Sequence, residues 1–467
     1  METLQSPVIG ALLDRLGSVA VLSGPDIPER NTNDWGPHGP VRPLAVVRPS
    51  EPAGVAAAMQ ICHQHGIAVV PQGGLTGLCG GARPIAGAIA LSLERLVGIE
   101  EIDPAASSMT VLAGTPLEVV QRAAEAAGFF MPLDLGARGS CAIGGNLSTN
   151  AGGNRVIRYG MARDMVLGIE VVLPDGTLVT SLNKLLKNNA GYDLKHLFIG
   201  SEGTLGIITR AVLRLHPKPA STMVAMCALS DYAGVLALLA AARRELGPLL
   251  SAFEVMWPDY WSAATGEVPN VRNPFAGDTT PYGAYVLVEA LGTDPAVDMP
   301  RFEAWLERRL EVGDVPNAVV AQSMAEVAQL WGVRDACSEF VSVFGPHIPF
   351  DVGLPTGRMD EFAERCAAGL RARLPGCRSL YYGHIGDGNL HLVAWVPGAP
   401  SQPEHEIEQV VYGLVREFGG SVSAEHGIGT LKKPWLGHAR SPEEIALMRT
   451  LKHALDPTGI LNPGKVV

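Results

Sequence analysis

Hydrophobic and polar positions follow two different patterns along the chain, and these predict two kinds of structure. Up to about residue 215, short apolar runs alternate with amphipathic helices or turns. The helix after the first strand is well bounded, because Ser50 can cap its start, Pro52 fits its first turn and Gly66 can end it. Residues 174–176 supply turn chemistry for a hairpin. The other predicted helices are 6–16 and 117–127, and the predicted strands are 44–47, 67–70, 88–93, 109–113, 170–173, 178–180 and 205–215.

The second pattern begins after His216-Pro217-Lys218-Pro219, where the composition shifts and we place a domain boundary. Beyond it, strands and longer helices alternate in a way that is typical of an antiparallel sheet backed by helices. The predicted strands are 223–229, 251–255, 285–289, 318–322 and 390–396, and the predicted helices are 231–246, 300–312, 324–344, 359–374 and 442–455. The predicted domains are a lead-in at 1–40, a first domain at 41–218, a second at 219–420 and a C-terminal segment at 421–467.

Composition and charge exclude several classes of protein. The 467 residues are 47% hydrophobic and 18% charged, which is typical of a folded globular chain. Lys and Arg number 36 against 47 Asp and Glu, a net charge of −11, so no nucleic-acid partner is expected. The longest strongly apolar run, 232–242, is about half of a membrane span, and the N-terminus lacks the basic start of a signal peptide. Seven scattered cysteines without a C-x-x-C pair indicate reduced thiols, so we expect a cytoplasmic protein with no membrane span.

Glycine, with 54 residues, is concentrated in three segments. The first glycine segment, 71–81, follows a predicted strand, so its backbone N–H groups can converge on an anion while the missing side chains permit close approach. It opens no predicted helix and lacks Gly-Lys-Ser/Thr, which excludes the dinucleotide fingerprint and the P-loop. A tight structural turn remains the alternative for this segment alone.

Two further glycine segments favour a ligand over a turn. The second, 133–153, is a long run of small, hydroxyl and amide residues with too few large apolar side chains for a core element. Its many backbone donors suit a long polar ligand that contains a pyrophosphate. The third, 200–206, lies between apolar runs. Three such segments in one αβ domain indicate a site for a nucleotide-type cofactor.

The order of these segments resembles the flavin-binding domain of the vanillyl-alcohol oxidase superfamily, also called the p-cresol methylhydroxylase fold. Residues from about 40 to 467 resemble its D-2-hydroxyacid dehydrogenase branch, with Lys187-Asn188-Asn189-Ala190-Gly191-Tyr192-Asp193-Leu194 among the most specific motifs. The resemblance implies an α+β fold. In that fold, a p-cresol methylhydroxylase-type FAD-binding domain is followed by an antiparallel-sheet substrate (cap) domain and a C-terminal helical segment that returns to the flavin site.

The resemblance also implies bound FAD, with its pyrophosphate on residues 73–77. Some relatives attach the flavin through a histidine after the paired glycines. Leu75 stands at that position here and has no nucleophile, so we expect non-covalent FAD. The residues expected to bind the cofactor are Gln72, Gly73, Gly74, Leu75, Thr76, Gly77, Gly139, Ser140, Ile143, Gly144, Gly145, Ser148, Thr149, Asn150, Gly152, Gly153, Glu202, Gly203, Ile208 and Asn462.

Candidate metal ligands lie in two C-terminal motifs. His384 and His391 flank a turn, and Glu425 and His426 are adjacent in a later, glycine-containing stretch. By spacing alone, two unrelated histidines remain the alternative, because seven positions is not the i, i+4 pair of a helical zinc site. Two imidazoles and one carboxylate would form a three-ligand site with open positions. The resemblance implies that His384, His391 and Glu425 bind a divalent metal, with zinc expected and manganese or iron as alternatives, and that His426 is the general base.

Candidate substrate contacts lie on a predicted helix. Trp331, Arg334 and Ser338 are spaced i, i+3, i+7 and share one predicted face, with a solvated surface arginine as the alternative. The resemblance implies that Arg334 clamps a substrate carboxylate with its bidentate fork, and that Ser338 also binds substrate. Hydroxyglutarate enzymes of the family carry a lysine before an aromatic-Asp pair and an asparagine two positions after the second histidine. This chain has Pro349 and Val393 there, so we expect it to prefer monocarboxylic D-2-hydroxy acids.

The sequence therefore predicts an FAD-dependent dehydrogenase that oxidises D-2-hydroxy acids to 2-oxo acids. The metal would hold the substrate hydroxyl and carboxylate, His426 would take the hydroxyl proton, and hydride would pass to the flavin. Alternatives are a flavin oxidase or dehydrogenase of glycolate or a sugar acid, a flavin subunit of a larger complex, and a metal hydrolase with structural glycine loops. The expected partners are the acid itself and an electron acceptor such as electron-transfer flavoprotein or a quinone-linked carrier, and a homodimer is compatible with the sequence.

Overall fold

A computed structural model describes residues 6–467, and the first five residues of the predicted lead-in lie outside the described residues. The chain divides into two units. Unit 1 consists of the described residues up to Gly153 together with Gly160–Lys218 and Glu425–Val467, and unit 2 consists of Asn154–Tyr159 and Pro219–Ala424. Both units combine helices with β-sheet, which confirms the predicted α+β class.

The first sheet of unit 1 leads into the first glycine segment. Its strands are β1 (Val21–Ser23), β2 (Ala45–Val47), β3 (Val69–Gln72) and β4 (Ile89–Ser92), in the order β1-β2-β4-β3. β1 is antiparallel to β2, whereas β2, β4 and β3 run parallel. All residues of β2 and β4 are buried, as is usual for parallel strands that are covered on both faces. The first glycine segment begins where β3 ends.

The second sheet of unit 1 is antiparallel. Its strands are β5 (Ile99–Asp103), β6 (Ser108–Leu112), β8 (Val166–Val172), β9 (Leu178–Ser181) and β10 (Ile207–Arg214), in the order β5-β6-β10-β8-β9. A separate pair is formed by β7 (Phe129–Phe130) and β11 (His216–Pro217). β8 and β9 form the predicted hairpin, whose turn is closed by the N–H of Thr177 donating to Asp175 at 2.8 Å.

Unit 1 has six α-helices among the described residues, of which the sequence predicts the first three and the last. They are α1 (Pro7–Leu16), α2 (Pro52–His65), α3 (Leu117–Ala126), α4 (Ile143–Ser148), α6 (Lys195–Phe198) and α14 (Pro442–Leu455). Gly66 ends α2 with a left-handed φ of 62°, as predicted, but Glu51 rather than Ser50 occupies the N-cap position. α14 starts with a capping box, in which Ser441 and Glu444 exchange side-chain to backbone hydrogen bonds.

Helix α4 corrects one expectation about the second glycine segment. That segment was expected to contain no core element, yet α4 lies inside it. Ile143 and Leu147 are four positions apart, so they share one face of the helix, and both are buried. A Cβ on Gly144 would lie 2.7 Å from the Cβ of Ala113, so the missing side chain lets this short helix pack closely against the chain after β6. Small residues here serve packing as well as ligand access.

Unit 2 is built on one antiparallel sheet of seven strands. These are β12 (Ser221–Leu229), β13 (Leu250–Met256), β14 (Ala284–Gly292), β15 (Asn317–Val320), β16 (Ile348–Gly353), β17 (Arg378–His384) and β18 (Asn389–Trp395), in the order β15-β12-β14-β13-β17-β18-β16. The sequence did not predict β16 or β17, which are the strands beside β18. A buried aromatic and aliphatic cluster on this sheet includes Trp261, Phe340 and Trp395.

The helices of unit 2 correct two predicted boundaries. They are α5 (Val156–Tyr159), α7 (Tyr232–Glu245), α8 (Pro258–Gly266), α9 (Pro295–Glu311), α10 (Met324–Arg334), α11 (Phe340–Phe344), α12 (Met359–Arg373) and α13 (Glu404–Glu417), of which α5, α8 and α13 were not predicted. α9 begins at Pro295 rather than Pro300, because Asp294 caps it by accepting the N–H of Ala296. The predicted helix 324–344 is broken by a 3-10 turn at Asp335–Glu339. Within residues 6–467, no helix has the length and apolar character needed to cross a membrane.

Candidate functional site

The three glycine segments converge on one cavity of about 370 Å³ in unit 1. Fourteen residues expected to bind FAD line this cavity, and they come from all three segments and from β10. They are Gln72, Gly73, Gly74, Leu75, Thr76, Gly77, Gly144, Gly145, Ser148, Thr149, Gly152, Glu202, Gly203 and Ile208. The sequence-predicted segments therefore form a single concave site.

Close backbone packing holds the first two glycine segments together. A Cβ on Gly74 would overlap the carbonyl oxygen of Ser140, so any larger residue would push the segments apart. By contrast, a Cβ on Gly145 would meet nothing within 4 Å, although Gly145 lines the cavity. Such bare backbone beside open space can approach a phosphate or a flat ring closely. The cavity-lining residues of the three glycine segments, here called the glycine cradle, therefore fit a dinucleotide cofactor such as FAD.

Six of the residues expected to bind FAD lie outside the cavity lining. They are Gly139, Ser140, Ile143, Asn150, Gly153 and Asn462. Asn462 shows what such a residue can do, since its side-chain amide donates to the carbonyl oxygens of Gly81 (3.1 Å) and Glu202 (2.8 Å). It thereby ties the first glycine segment to the third, and its contacts in the structure are with the wall of the cavity.

Leu75 occupies the position at which some relatives carry a flavin-linking histidine. Its φ of 63° lies in the left-handed region, which is unusual for a residue with a bulky side chain. The side chain is buried and lines the cavity. It offers the cavity only aliphatic surface.

Glu202 joins the third glycine segment to the stretch after His426. Its carboxylate accepts hydrogen bonds from the backbone N–H groups of Ile428 (2.7 Å) and Gly429 (2.8 Å). Burial raises the pKa of Glu202, and these two hydrogen bonds oppose that effect. Gly427 has a φ of 83°, and a Cβ there would lie 2.9 Å from the Glu202 carboxyl carbon. The carboxylate therefore fixes the backbone that immediately follows His426.

Two charged residues behind the first glycine segment were not identified from the sequence. The Nζ of Lys465 donates to the carbonyl oxygens of Gly80 and Arg83, both at 2.7 Å, and burial lowers the pKa of Lys465 to about 8. The Asp34 carboxylate accepts the N–H groups of Gly36 (3.0 Å) and Ala82 (3.3 Å). Neither residue belongs to a sequence motif, because the loop that each one contacts is distant from it in sequence.

Glu425 and His426 both line the cavity in unit 1. The Glu425 carboxylate accepts the backbone N–H of Gly153, and a Cβ on Gly152 would overlap that carboxylate. The paired glycines at the end of the second segment therefore make room for Glu425 and orient it. An acidic group and an imidazole lie in the same cavity as the glycine cradle.

The other two predicted metal ligands lie on adjacent strands of unit 2. His384 ends β17, His391 lies on β18, and their ring centroids are 5.1 Å apart with an interplanar angle of 82°. Both histidines are buried. Imidazoles so close together fit a divalent ion, although the spacing of seven in sequence did not by itself predict their proximity.

Each of these histidines faces a buried carboxylate on a neighbouring strand. Glu254 on β13 is the cross-strand partner of His384, and Asp351 on β16 is the cross-strand partner of His391. The Nδ1 of His384 lies 2.7 Å from the Glu254 carboxylate, and the Nδ1 of His391 lies 4.0 Å from that of Asp351. Asp351 also accepts the side-chain amide of Asn389 at 2.7 Å. Glu254 was not identified from the sequence, since no motif contains it.

Arg334 belongs to the same buried group. Its Nε donates to Glu254 at 2.9 Å, and its Nη2 lies 3.1 Å from the Nε2 of His384. Burial opposes the charge on Glu254, but the nearby His384 and Arg334 lower the pKa of this carboxyl below its ordinary value. Arg334 is therefore a buried arginine next to the two histidines, and the alternative of a solvated surface side chain is wrong.

Ser338 does not share a helix face with Arg334. α10 ends at Arg334, and Ser338 lies in the 3-10 turn that follows, with its hydroxyl donating to the carbonyl of Asp335 at 2.9 Å. The i, i+3, i+7 argument assumed a continuous α-helix and is wrong for Ser338, because a 3-10 turn rotates side chains by a different angle. Trp331 and Arg334 remain on one helix.

Pro349 and Val393, the two departures from the hydroxyglutarate pattern, are directly opposite each other. They form a cross-strand pair between β16 and β18. Val393 is buried in the aromatic and aliphatic cluster of unit 2, whereas Pro349 is exposed. Neither side chain can donate a hydrogen bond, so this pair presents only apolar surface two positions from His391.

Comparisons with known proteins agree with these features. The model for FAD linked oxidases, C-terminal domain, matches residues 218–466, and the model for an FAD binding domain matches residues 43–181. The chain is 39% identical to the mitochondrial D-2-hydroxyglutarate dehydrogenase of Bos taurus over 98% of this chain and 83% of that protein. It is also 39% identical to the D-2-hydroxyglutarate dehydrogenase of Xanthomonas citri pv. viticola, over 99% of this chain and 97% of the relative.

A solved structure shows the same fold at lower sequence identity. p-Cresol methylhydroxylase with bound substrate superposes with a TM-score of 0.75 at 18% identity, covering 98% of this chain and 96% of that one. The fold is thus of the p-cresol methylhydroxylase type, as predicted. From its matching family models and its full-length relatives, the chain belongs to the FAD-linked D-2-hydroxyacid dehydrogenases, a family of oxidoreductases that act on CH–OH donors.

Proposed function

We propose that the protein oxidises D-2-hydroxy acids to 2-oxo acids with the help of a divalent metal and of His426 as general base. The observation that carries this proposal is the position of His426 in the same cavity of unit 1 as the glycine cradle. When bound there, FAD would accept the hydride that leaves the substrate Cα. Loss of one proton from the hydroxyl and one hydride from Cα accounts for the 2-oxo product.

His426 would take the proton of the substrate hydroxyl. An imidazole is suited to this step because its ordinary pKa lies near neutral pH. The Glu202 carboxylate supports this role by holding the backbone N–H groups of Ile428 and Gly429, so the stretch that carries His426 has a fixed conformation. The geometry within unit 1 thus favours a base with a defined position.

The proposed metal ligands are His384 and His391 of unit 2 and Glu425 of unit 1, as the family motif implies. The donor chemistry supports this set, because two buried imidazoles lie side by side and the Glu425 carboxylate is oriented by Gly153. Nitrogen and carboxylate ligands with an open position are typical of catalytic zinc, and manganese or iron remain alternatives. A bound metal would hold the substrate hydroxyl and carboxylate and lower the pKa of the hydroxyl.

Arg334 is proposed to bind a substrate carboxylate, and Ser338 is proposed as a second residue that binds substrate. The Nε of Arg334 is held by Glu254, so a carboxylate would bind the edge formed by Nη1 and Nη2 in place of the contacts that these atoms make with Asp335 (3.4 Å) and with the Nε2 of His384 (3.1 Å). The apolar pair Pro349 and Val393 favours substrates with one carboxylate. D-2-hydroxyglutarate is the second candidate substrate, favoured by the names of the two relatives.

The remaining proposals concern the cofactor and the partners. FAD is proposed to be non-covalent, which the aliphatic side chain of Leu75 supports. Electrons are proposed to leave through electron-transfer flavoprotein or a quinone-linked carrier, and transfer to O₂ by a flavin oxidase is the alternative. A cytoplasmic location and a homodimer remain proposals.

Turnover and metal content test the proposed function together. Dye-linked oxidation of a panel of D- and L-2-hydroxy acids should show activity with D-acids only. Chelator treatment and His391→Ala should each abolish turnover, remove the metal and leave the flavin bound. His426→Ala should keep both metal and FAD but lower kcat by roughly 10²-fold or more, the usual contribution of a general base.

A matched control is His453→Ala, since His453 is exposed on α14 and should leave kcat unchanged. Full activity in a metal-free preparation would remove the metal from the mechanism. Unchanged turnover in His426→Ala would assign the base to another residue. A colourless protein that hydrolyses substrates would favour the metal hydrolase instead.

A further inference from the structure

Three buried side chains of unit 2 form one hydrogen-bonded group, the Glu254 cluster, which consists of Glu254, Arg334 and His384. Glu254 uses separate carboxylate oxygens for its two partners: Oε1 lies 2.7 Å from the Nδ1 of His384, and Oε2 accepts the Nε–H of Arg334 at 2.9 Å. The Nη2 of Arg334 closes the group at 3.1 Å from the Nε2 of His384. Each side chain therefore contacts both of the others.

The sheet register fixes where Glu254 stands. Glu254 on β13 and His384 on β17 are direct cross-strand partners in an antiparallel pair, so their side chains emerge side by side on one face. Glu254 is completely buried and His384 nearly so. The two residues are 130 positions apart in sequence, and only the pairing of β13 with β17 brings them together.

The hydrogen bonds of this cluster determine which nitrogen of His384 carries a proton. A guanidinium has only donors, so the contact from Nη2 of Arg334 requires a lone pair on Nε2 of His384. An ionised carboxylate only accepts, so Nδ1 must carry the hydrogen that is donated to Glu254. Both contacts select the same tautomer, in which the hydrogen is on Nδ1 and the lone pair is on Nε2.

We propose that Glu254 is the positioning residue that holds His384 in the Nδ1–H tautomer, so that Nε2 would be its ligand atom for a metal, and that Glu254 also anchors Arg334 by its Nε. The inference rests on the proposed function for the identity of the ligand His384. A ligating histidine that donates its second N–H to a carboxylate has a fixed ring orientation and a more basic ligand nitrogen. One carboxylate would thus organise a metal ligand and the substrate clamp at the same time.

A purely structural role is the competing explanation, and unit 2 contains a matched case for it. Glu289 on β14 is also buried and also bound to an arginine, since Arg155 donates to it from Nε (2.9 Å) and Nη2 (3.1 Å). Its other side-chain partner is the hydroxyl of Ser251, at 2.8 Å. Glu289 therefore reproduces the burial and the ion pair of Glu254 without a histidine partner, which makes Glu289→Gln the control for Glu254→Gln.

The affinity for Zn²⁺ distinguishes a positioning role of Glu254 from a purely structural role. Each FAD-loaded, metal-free protein would be titrated with Zn²⁺ in competition with a chromophoric chelator, and thermal melting would be recorded in parallel. Glu254→Gln should bind Zn²⁺ about 10- to 100-fold more weakly than the wild type, the usual cost of losing such a partner. Glu289→Gln should keep the wild-type affinity within about twofold even if its melting temperature falls. Equal losses in both variants, or wild-type affinity in Glu254→Gln, would overturn the proposal.

The tautomer of His384 is a second readout that needs no metal. Protein labelled with ¹⁵N-histidine contains 12 histidines, and a His384→Asn spectrum identifies the signals of His384. The wild-type signals should be those of an Nδ1–H imidazole, and Glu254→Gln should shift them toward a mixture of tautomers. A wild-type His384 protonated at Nε2 would overturn the inference. If the wild type shows the expected tautomer but binds no Zn²⁺, Mn²⁺ or Fe²⁺, the metal in the proposed function fails, whereas the hold of Glu254 on His384 stands.

Discussion

The carboxylate of Glu202 accepts the backbone N–H of Ile428 at 2.7 Å, which ties the third glycine segment to a stretch 226 positions later in the sequence. Its second oxygen accepts the N–H of Gly429 at 2.8 Å. Glu202 was expected to bind FAD and lines the cavity, but these two hydrogen bonds also give it a structural role. It holds the backbone beside His426.

Replacing Glu202 by glutamine should disturb that backbone with little change in side-chain size. The amide oxygen can accept one of the two N–H groups, but the amide nitrogen would face the other. A buried donor left unsatisfied costs about 1–3 kcal/mol. We expect kcat per bound flavin to fall about tenfold or more, measured by dye-linked turnover with the flavin content determined from absorbance.

Glu170→Gln is the control for this substitution. Glu170 is a buried glutamate of unit 1 that accepts from Thr209 (2.9 Å) and Arg210 (3.0 Å), but it does not line the cavity. Its glutamine variant should keep kcat within about twofold. Wild-type turnover in Glu202→Gln would show that the hydrogen bonds to residues 428 and 429 have no influence on the proposed role of His426.

The flavin should be released intact when the chain is unfolded. Leu75 has no group that could bond to an isoalloxazine ring, so acid or heat precipitation should leave yellow FAD in the supernatant. Intact-mass measurement should give the mass of the unmodified chain. The measurement also covers Cys79, Cys141 and His426, the thiols and imidazole that line the same cavity. A chain whose mass includes a flavin would contradict non-covalent binding.

Substrate preference should follow the apolar pair formed by Pro349 and Val393. A second carboxylate on the substrate needs a polar or cationic partner, because an unpaired buried charge costs several kcal/mol. We therefore expect kcat/KM for monocarboxylic D-2-hydroxy acids to exceed that for D-2-hydroxyglutarate by about tenfold or more. Pro349→Lys combined with Val393→Asn should shift this ratio toward the dicarboxylate.

The structure also supplies a control for that double variant. Val393→Thr keeps the shape of the side chain in the buried cluster but adds no amide, so it should leave the substrate ratio nearly unchanged. The bovine and Xanthomonas relatives are named for D-2-hydroxyglutarate, so the predicted substrate preference differs from the substrate in the names of these relatives. A panel in which D-2-hydroxyglutarate or D-malate is clearly the best substrate would refute the monocarboxylate preference and leave the assignments of flavin and metal intact.

Lys465 should make stability depend on pH in the alkaline range. Burial lowers its pKa from an ordinary value of 10.5 to about 8 in the folded protein. Between these pH values the unfolded chain binds more protons than the folded one, so the contribution of Lys465 to the free energy of unfolding rises with pH. The urea midpoint of the wild type should therefore increase relative to that of Lys465→Met between about pH 8 and 10.5. A constant difference between the two midpoints over that range would contradict a lowered pKa.

Local signals made part of the fold predictable. The residues of α14 were predicted without error, because Ser441 and Glu444 form a capping box and Pro442 fits the first turn. The glycine segments were predictable as a cofactor site for a similar reason, since their chemistry lies in contiguous sequence. Where a signal was local but ambiguous, the prediction failed, as for the 3-10 turn at Asp335–Glu339 inside the predicted helix 324–344.

The partners of the site residues were not predictable from one sequence. Glu254 reaches His384 only through the register of β13 and β17, and β17 itself was not predicted. Lys465 contacts Gly80 in the first glycine segment and Asp34 contacts Ala82 directly after it, and these two charged residues come from opposite ends of the chain. A single sequence contains no pairing information for such distant contacts, so only the folded chain reveals them.

The bond between Lys465 and Gly80 has a consequence for how the protein is made. These residues are 385 positions apart, and Val69 and Leu461 form a bridge over a similar interval. At synthesis rates of about 5–20 residues per second, roughly 20–80 s separate the appearance of the first glycine segment from that of the lysine that holds it. The middle of the chain can acquire its sheet on the ribosome during this time. The cofactor-binding cavity of unit 1 stays incomplete until its C-terminal residues have been synthesised, and we expect nascent chains to depend on chaperones throughout that interval.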